Sequence, residues 1–232
     1  MKLSIIIPAF NEEEAIEKVV RDIFREIKKN EPSSEIVIVD NGSIDDTPQI
    51  ISRLQKEFHN LKTVRVFPNK GYGNGLLRGV AVSSGEILGW IHGDNQISAE
   101  DLFRVWHELV EKKLDLCKAV RQTRSESIWR KTQSRLYNSF FRILFGGKLS
   151  DINGSPKVFK RALFDRLQIL SLDWFIDPEI VIKALRSGAR IGEVEVFCRP
   201  RLGGRSKTNW FASFEFFKNM IFYKFGVKLK RE

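Results

Sequence analysis

The chain has 232 residues, enough for one sizeable domain that buries about 70% of the surface its unfolded chain exposes. Its formal net charge of +10 indicates anionic partners, and nucleic acid, an acidic membrane surface and nucleotide phosphates all qualify. Two cysteines and three histidines assemble no zinc spacing, and no apolar run reaches the roughly 18 residues of a membrane-spanning helix, so we expect a reduced, cytosol-facing protein.

The first 120 residues alternate apolar strands with amphipathic helices. Strands are predicted at 2–8, 35–39, 63–67, 87–91 and 114–120. Helices are predicted at 13–29 and 99–112, and two more lie between them, one that begins at about residue 46 and one that ends at residue 83. The apolar start is cut by Pro8 and followed by acidic residues, which predicts neither a signal peptide nor a membrane span. This alternation predicts right-handed βαβ units and an α/β fold with a mostly parallel central sheet flanked by helices.

Each of these strands ends in polar or glycine-rich residues. Because the carboxyl ends of parallel strands lie at one edge of an open sheet, these residues are expected to meet where ligands bind. The residues placed along this edge are Asn11, Glu12, Asp40, Lys70, Gly71, Asp94 and Gln96. Such an edge is typical of a nucleotide site.

The stretch 85–96 (GEILGWIHGDNQ) is a buried strand that stops abruptly at polar side chains. His92, Asp94 and Gln96 follow it at spacings of two, so they could share one divalent cation, with Mg²⁺ or Mn²⁺ bridging a diphosphate as the natural candidate. The alternative is that Gly93, Asp94 and Asn95 form a simple turn. The spacing alone leaves the two interpretations open.

The glycine-rich segment 69–75 (NKGYGNG) is a weak signal. Its spacing differs from the dinucleotide-binding fingerprint, and it lacks the Gly-Lys-Ser/Thr ending of a P-loop. Taken alone, it favours a flexible turn between a strand and a helix.

Two later stretches combine aromatic and basic residues at helical spacing. Residues 121–148 hold seven basic residues against one acidic residue, and residues 210–225 carry six phenylalanines before three further cations at 228–231. This pattern is typical of helices lying in a membrane interface. A helix packed on the core with a solvated basic face is the alternative for the first stretch, and both remain open.

Between these stretches lie polar segments at 151–155 and 173–179, then a predicted strand at 191–197. Residues 199–207 (RPRLGGRSK) follow, with four cations and two glycines. A flexible, positive loop of this kind is suited to closing over a diphosphate, although a solvated basic loop has the same composition.

In order and spacing, these segments resemble the motifs of the inverting family 2 glycosyltransferases of GT-A fold, specifically the polyprenyl-phosphate sugar synthases related to dolichol-phosphate mannose synthase. Residues 8–12 (PAFNE) resemble the opening nucleotide-contact motif, and residues 39–43 (VDNGS) the VDDGS motif with Asn41 in place of its second aspartate. The remaining matches are residues 69–79 with the glycine-rich segment beside the base, 92–96 (HGDNQ) with DxDxQ, 151–155 with the acceptor-side aspartate motif, and 201–207 with R-x-x-G-x-S-K. The resemblance covers nearly the whole chain.

The resemblance implies transfer of a hexose from a GDP- or UDP-sugar to a polyprenyl phosphate, dolichyl or undecaprenyl, with inversion and with Mn²⁺ or Mg²⁺ as cofactor. The catalytic residues that it implies are Asp94, Asp151, Arg201 and Lys207. The nucleotide-sugar-binding residues are Pro8, Ala9, Asn11, Glu12, Asp40, Asn41, Lys70, Gly71, Gly93 and Asp94. The acceptor- and phosphate-binding residues are Arg121, Ser155, Asp177, Glu179, Arg199 and Ser206. The metal ligands are His92, Asp94 and Gln96, and histidine in place of the first aspartate makes Asp94 and Gln96 the sounder ligands, because imidazole suits Mg²⁺ poorly.

We expect one GT-A domain over residues 1–232, with a nucleotide-sugar half at 1–120, an acceptor half at 121–209 and an amphipathic basic helix at 210–232. The resemblance implies a cytoplasmic protein associated peripherally with the cytoplasmic face of a membrane. Attachment would depend on anionic lipid at the two amphipathic stretches or on a membrane-spanning partner protein. No nucleic-acid partner is expected.

Three other functions are consistent with parts of the sequence. Transfer to a soluble glycan would need a general base, for which Asp151, Asp177 and Glu179 are candidates, whereas a phosphate acceptor needs none. A non-catalytic relative is conceivable because of His92. A basic nucleic-acid-binding module is disfavoured, because the aromatic residues follow helical spacing rather than stacking positions on exposed strands.

Overall fold

The structure, a computed structural model, describes residues 2–122, 128–202 and 218–225, and for residues 128–131 and 133 the backbone only. Its strands are β1 (Leu3–Ala9), β2 (Glu35–Asp40), β3 (Leu61–Arg65), β4 (Ile87–Trp90), β5 (Leu116–Gln122), β6 (Lys157–Lys160) and β7 (Ile191–Phe197). Its helices are α1 (Ile16–Asn30), α2 (Thr47–Glu57), α3 (Tyr72–Val82), α4 (Ala99–Glu111), α5 (Ile128–Phe145), α6 (Arg161–Leu167) and α7 (Ile176–Arg186). Residues 218–224 are also helical.

The seven strands form one sheet in the order β3-β2-β1-β4-β6-β5-β7. β6 runs antiparallel to β4 and to β5, and the other pairs are parallel. The chain moves outward from β1 to β2 and β3, then returns to place β4 on the other side of β1. This change of direction creates a crevice at the carboxyl ends of β1 and β4, the position where open α/β sheets bind ligands.

Helices cover both faces of the sheet, which explains why the central strands are continuously apolar. α1, α2 and α4 pack on one face, and α3, α6 and α7 pack on the other. α1 shows the sequence basis of this packing, because Ile16, Ile23 and Ile27 recur at helical spacing and all are buried. Each such side chain contributes about 1.5–3 kcal/mol by leaving water.

α5 belongs to a third, smaller apolar cluster. Tyr137 and Phe141 on its inner face pack with Phe175, Val181 and Met220. Residues 218–224 therefore lie against α5 and α7. The core-packed interpretation of this stretch is correct for its inner face, and the opposite face carries exposed apolar and basic side chains described below.

The expected α/β fold with a mostly parallel sheet is confirmed. Some predicted boundaries were wrong, since β3 ends at Arg65 rather than Phe67 and α3 already includes the second and third glycines of the glycine-rich segment. The strand β6 and the helix α6 were not predicted. The predicted loop at 199–207 and the predicted helix at 210–232 lie partly outside the described residues, at 203–217 and 226–232, and these parts stay predictions.

Glu35 joins three segments at the end of the sheet opposite the crevice. Its Oε1 accepts hydrogen bonds from Ser4 Oγ at 2.6 Å and from Ser84 Oγ at 2.9 Å, and its Oε2 lies 2.9 Å from Lys62 Nζ. Burial by itself raises the pKa of Glu35, but the hydrogen bonds from Lys62, Ser4 and Ser84 outweigh it and lower the pKa to about 2.

This lowered pKa predicts a pH-dependent contribution of Glu35 to stability. The folded pKa lies below the unfolded value, so the stabilisation is complete above the unfolded pKa and is lost as the pH falls through the folded pKa. We expect Glu35→Gln to lower the free energy of unfolding by about 2 to 3 kcal/mol at pH 7, and by roughly half as much at pH 3. Urea denaturation across this range measures the difference.

The exposed neighbour Glu86 supplies the control, since Glu86→Gln should change stability by less than about 0.5 kcal/mol at every pH. A Glu35→Gln effect that stays constant from pH 7 to pH 3 would show that the carboxylate charge is not its source.

Candidate active site at the carboxyl edge of the sheet

The loops after β1 and β2 are joined by hydrogen bonds. The N–H of Asn11 donates to Ser43 Oγ at 2.9 Å, and Asn11 Oδ1 accepts from the N–H of Ile44 at 3.0 Å. The N–H of Glu12 donates to Thr47 Oγ1 at 2.9 Å. These bonds hold the buried Glu12 carboxylate in the crevice between β1 and β4.

Asp40 and Asn41, at the end of β2, are both buried. Asp40 Oδ1 accepts a hydrogen bond from the N–H of Ser43 at 2.8 Å. The Asn41 amide lies against the first turn of α3, where a Cβ on Gly75 would stand 2.4 Å from Asn41 Oδ1. The glycine is therefore required for packing.

Gly71 and Gly73 have a similar explanation. Gly71 has a φ of 98°, in the region that favours glycine, and a Cβ there would stand 2.6 Å from the carbonyl oxygen of Leu172. A Cβ on Gly73 would stand 2.7 Å from the carbonyl oxygens of Ser171 and Asp173. The segment thus packs its backbone against residues 171–173, while the neighbouring Lys70 side chain is exposed.

The residues after β4 form a tight turn that also presents a carboxylate. Asp94 Oδ1 accepts a hydrogen bond from the N–H of Gln96 at 3.1 Å, and Asn95 has a φ of 59°. The turn interpretation therefore holds for the backbone. Asp94 Oδ2 points to a different partner, so the same aspartate serves both the turn and the crevice.

That partner is Arg201, in the segment after β7. Arg201 Nη2 lies 2.8 Å from Asp94 Oδ2, and Nη1 lies 3.3 Å from Glu12 Oε1. The segment is held in place by the N–H of Arg199, which donates to the carbonyl oxygen of Gln96 at 2.8 Å. One guanidinium therefore bridges the ends of β1 and β4.

The side chains at this edge offer few ligands for a cation. Within residues 2–122, 128–202 and 218–225, no group of three or more histidine, cysteine, aspartate or glutamate side chains could hold a metal ion. Asp94 supplies one carboxylate, and Gln96 an amide oxygen. Mg²⁺ and similar ions often bind through one or two carboxylates with substrate phosphates completing the shell. The residues therefore fit a cation shared with a diphosphate.

His92 takes part in a stack of three rings. Its ring centroid lies 5.5 Å from that of Tyr72, which lies 4.4 Å from that of Trp174. Burial lowers the pKa of His92, although Asp94 and Asp177 act in the opposite direction. The imidazole is thus favoured in its neutral form beside the crevice.

Arg121 and Asp151 form a two-pronged ion pair. Arg121 Nε and Nη2 each lie 2.8 Å from one carboxylate oxygen of Asp151, and the N–H of Arg121 donates to Oδ2 at 3.0 Å. Burial raises the pKa of Asp151, but the charge and hydrogen bonds of Arg121 lower it to about 2. Asp151 is therefore a weak base.

Two lysines whose side chains are 0% exposed lie beside this pair. Lys118 Nζ contacts Glu193 Oε1 at 2.7 Å and donates hydrogen bonds to the carbonyl oxygens of Ser150 and Asp151 at 2.8 and 2.9 Å. Lys157 Nζ contacts Asp177 Oδ1 at 2.8 Å and donates to the carbonyl oxygen of Gly154 at 2.7 Å. Burial lowers the pKa of Lys157, while Asp177 opposes this shift.

Glu179 and Ser155 are also buried. Glu179 Oε2 accepts from the N–H of Ser171 at 2.7 Å and Oε1 lies 2.6 Å from Lys183 Nζ, so its carboxylate holds the loop before α7. Ser155 Oγ is 3.5 Å from the carbonyl oxygen of Trp90. Of the other predicted site residues, Ala9 and Gly93 are buried beside the crevice with Pro8, whereas Ser206 and Lys207 lie outside the described residues.

The structure thus brings Glu12, Asp94 and Arg201 into direct contact and pairs Arg121 with Asp151. Sequence reasoning missed Lys118 and Lys157, which resemble ordinary surface lysines in the sequence. It also missed the stack of Tyr72 and Trp174 on His92. For Lys118, the available signal was a lysine inside an otherwise apolar strand, LCKAV at residues 116–120.

The buried pair of Lys157 and Asp177 should be costly to break. Lys157→Met leaves the Asp177 carboxylate buried without its cation, so we expect a loss of about 3 to 5 kcal/mol in the free energy of unfolding by urea denaturation. Removing both charges, in Lys157→Met with Asp177→Asn, should recover a large part of this loss.

The matched control is Arg104→Met, which breaks the ion pair with Asp101 on the surface of α4. That change should cost less than about 1 kcal/mol. If the Lys157→Met protein were as stable as the control protein, Asp177 would not be a buried carboxylate that depends on Lys157 for compensation.

Comparison with known proteins places this chain in a family. The model of "Glycosyl transferase family 2" matches residues 4–168. Glycosyltransferase AglD of Haloferax volcanii is 27% identical over 213 residues, covering 87% of this chain and 34% of that protein. The undecaprenyl-phosphate 4-deoxy-4-formamido-L-arabinose transferase of Sodalis glossinidius is 27% identical over 168 residues, covering 72% of this chain and 51% of that protein.

A dodecaprenyl-phosphate galacturonate synthase of Rhizobium johnstonii is 25% identical over 232 residues, covering 99% of this chain and 68% of that protein. The chain thus spans between about a third and two thirds of the length of these relatives. Each of them is a protein that this chain resembles.

Solved structures support the fold. Glucosyl-3-phosphoglycerate synthase of Mycobacterium tuberculosis, in complex with Mn²⁺, UDP and glucosyl-3-phosphoglycerate, superposes with a TM-score of 0.74 at 20% identity. The match covers 99% of this chain and 81% of that one. A complex of the same enzyme with Mg²⁺ and UDP gives a TM-score of 0.75 at 19% identity. The expected GT-A fold is confirmed, and, because the family model matches more than half of its residues, the chain belongs to glycosyl transferase family 2.

Proposed function

We propose that this chain transfers a hexose from a nucleotide diphosphate sugar, with GDP or UDP as the nucleotide, to a polyprenyl phosphate, with inversion at the anomeric carbon. The contact of Arg201 with both Asp94 and Glu12 carries the proposal, because it assembles cationic and anionic groups where a diphosphate would lie. Family membership supplies the reaction class.

At the donor end, Arg201 would exchange its carboxylate partners for the oxygens of the diphosphate. Guanidinium groups bind phosphate oxygens with two parallel hydrogen bonds, so the exchange needs only a small movement. Asp94 and Gln96 would hold a divalent cation, Mn²⁺ or Mg²⁺, and that cation when bound supplies charge neutralisation for the leaving nucleoside diphosphate. The solved neighbours contain these ions together with UDP. Lys207, from the cationic segment, is proposed to add a second positive charge.

At the acceptor end, the candidate bases are already engaged. Asp151 is paired with Arg121 and has a pKa of about 2, Asp177 is paired with Lys157, and the Glu179 carboxylate binds backbone and Lys183. A hydroxyl acceptor needs a general base, whereas a phosphate oxygen is already nucleophilic at neutral pH. These ion pairs therefore favour a phosphate acceptor over a soluble glycan.

The names of two relatives agree with this acceptor class, since one is an undecaprenyl-phosphate and the other a dodecaprenyl-phosphate sugar enzyme. We infer that Arg121, oriented by Asp151, and Arg199 attract the acceptor phosphate, and that catalysis depends on positioning and charge neutralisation. Asp177, Ser155 and the stacked rings would shape the space between donor and acceptor.

A polyprenyl acceptor places the reaction at a membrane surface. None of the helices in the described ranges combines the length and hydropathy that crossing a bilayer requires. The outer face of α5 instead exposes Leu136 (61%) and Ile143 (80%) at heptad spacing, and Arg135 and Arg142 are exposed beside them. We propose that this face lies on anionic lipid at the cytoplasmic side of the membrane, with or without a membrane-spanning partner.

Transfer assays across GDP- and UDP-sugars, with and without polyprenyl phosphate and with Mn²⁺, Mg²⁺ or a chelator, test the proposal. We expect lipid-phosphate-dependent transfer from one donor. Asp94→Asn should lower the transfer rate by at least about 100-fold, because the cation that would neutralise the leaving diphosphate loses its carboxylate ligand. Asp165→Asn, on the exposed surface of α6, should behave as wild type. Full activity on a soluble glycan without lipid, or an active Asp94→Asn protein, would overturn the proposal.

Vesicle sedimentation tests the membrane face. Binding should strengthen with anionic lipid and weaken with salt. The double change Leu136→Ser with Ile143→Ser should lower partitioning by about tenfold or more, because two apolar side chains no longer enter the interface. Leu170→Ser removes a side chain that is 59% exposed elsewhere and is the control. Equal partitioning of all three proteins would exclude α5 as the contact.

A further inference from the structure

The hydroxyl of Tyr72 is a polar group beside the crevice to which the contacts described so far give no role. Tyr72 is only 8% exposed, and its Oη has no hydrogen-bond partner within residues 2–122, 128–202 and 218–225. Buried hydroxyls normally have a partner, because burial removes their hydrogen bonds to water. This hydroxyl is therefore available to a bound molecule.

The ring that carries the hydroxyl is held on both faces. The Tyr72 centroid lies 4.4 Å from that of Trp174, with the two planes 12° apart, and 5.5 Å from that of His92, with the planes 26° apart. The glycines on either side of Tyr72 pack their backbone against residues 171–173. The direction of the phenol is therefore fixed by the stack and by the backbone.

Charged groups from both ends of the site act on the same hydroxyl. Burial raises the pKa of Tyr72, Asp177 raises it further, Arg121 lowers it, and Asp94 raises it. Asp94 lies at the donor end, whereas Arg121 and Asp177 lie at the proposed acceptor end. The hydroxyl thus lies within the electrostatic reach of both ends.

In a transfer reaction, the transferred group must lie between the leaving diphosphate and the acceptor. Under the proposed function this group is a hexose, whose hydroxyls both donate and accept hydrogen bonds. A phenol does the same, so the two groups are matched in chemistry. Phosphate oxygens at either end have better partners in the guanidinium groups of Arg121 and Arg201, whose hydrogen bonds are charge-assisted.

We propose that Tyr72 is a specificity-determining residue, whose hydroxyl forms a hydrogen bond with one hydroxyl of the transferred hexose. This inference rests on the proposed function and deepens it, because it names a group that recognises the sugar. An analogue that lacks the matching hydroxyl leaves a buried polar group unpaired, and sites of this kind reject such analogues strongly. The fixed phenol therefore selects for a hydroxyl at one position of the sugar ring.

Calorimetric binding in the presence of Mn²⁺ and without any acceptor tests the inference. The probes are UDP-glucose, UDP-galactose, UDP-galacturonate and GDP-mannose, then the monodeoxy analogues of the sugar nucleotide that binds best, and UDP and GDP as sugar-free ligands. The wild type should bind one deoxy analogue roughly 5- to 100-fold more weakly than its parent.

Tyr72→Phe keeps the ring and removes only the hydroxyl. This protein should bind the parent and that deoxy analogue within about twofold of each other, because neither now meets a phenol hydroxyl. Its affinity for UDP and GDP should equal that of the wild type. Tyr223→Phe, which removes a hydroxyl from a ring packed on Phe175, is the matched control and should discriminate among the analogues as the wild type does.

Urea denaturation without nucleotide separates recognition of the sugar from a structural role. Removing a buried hydroxyl that has no partner should leave the free energy of unfolding of Tyr72→Phe unchanged or slightly raised. A less stable Tyr72→Phe protein would show that the hydroxyl already serves the fold, and this outcome would overturn the inference.

The binding measurements decide the rest. Equal wild-type affinity for all deoxy analogues, or unchanged discrimination in Tyr72→Phe, overturns the inference. A fall in UDP or GDP affinity as large as that for the sugar nucleotide also overturns it, because the hydroxyl would then serve the nucleotide. These outcomes leave the proposed function standing, since the wild type still binds its donor. A wild-type chain that binds none of the four sugar nucleotides overturns the proposed function together with this inference.

Discussion

Six of the seven strands run in one direction, and this constraint determines where the chemistry is located. The carboxyl ends of the six strands meet at one edge, so residues separated by more than a hundred positions in sequence become neighbours. Arg201 reaches Glu12 and Asp94 only because β7, β1 and β4 all end there. The glycines of α3 serve the same edge, since their missing side chains let Asn41 and residues 171–173 approach the helix.

Charge is arranged differently in the two parts of this edge. In the crevice, the buried carboxylates of Glu12 and Asp94 share Arg201, whose side chain is 21% exposed, and under the proposed function this guanidinium changes partners when a diphosphate arrives. Beside the pair of Arg121 and Asp151, Lys118 and Lys157 have fully buried side chains that are paired with Glu193 and Asp177. Removing one partner of such a buried pair is costly, because the other charge is left without compensation.

The sequence was sufficient for most of the fold, because continuous apolar strands and amphipathic helices leave clear periodic patterns. It predicted the residues at the crevice, since polar side chains after buried strands meet at one edge. It failed at β6, whose four residues (KVFK) begin and end with lysine and resemble a surface segment. The buried partner of Lys157, Asp177, lies on a distant helix, so no local pattern could reveal it.

The antiparallel strand β6 has a further consequence for how such proteins diversify. It bonds to β4 on one side and to β5 on the other, with Trp90 opposite Lys157 and Lys118 opposite the same residue. The part of the chain that ends with β4 and the part that contains β6 are therefore joined by main-chain hydrogen bonds between these two strands. Such hydrogen bonds form with many different side chains. Recombination that exchanged the segment after α4 would keep this strand pairing, provided that the register of Lys157 with Trp90 were preserved. A fold joined in this way can exchange the part of the chain after α4 while the part before it stays unchanged.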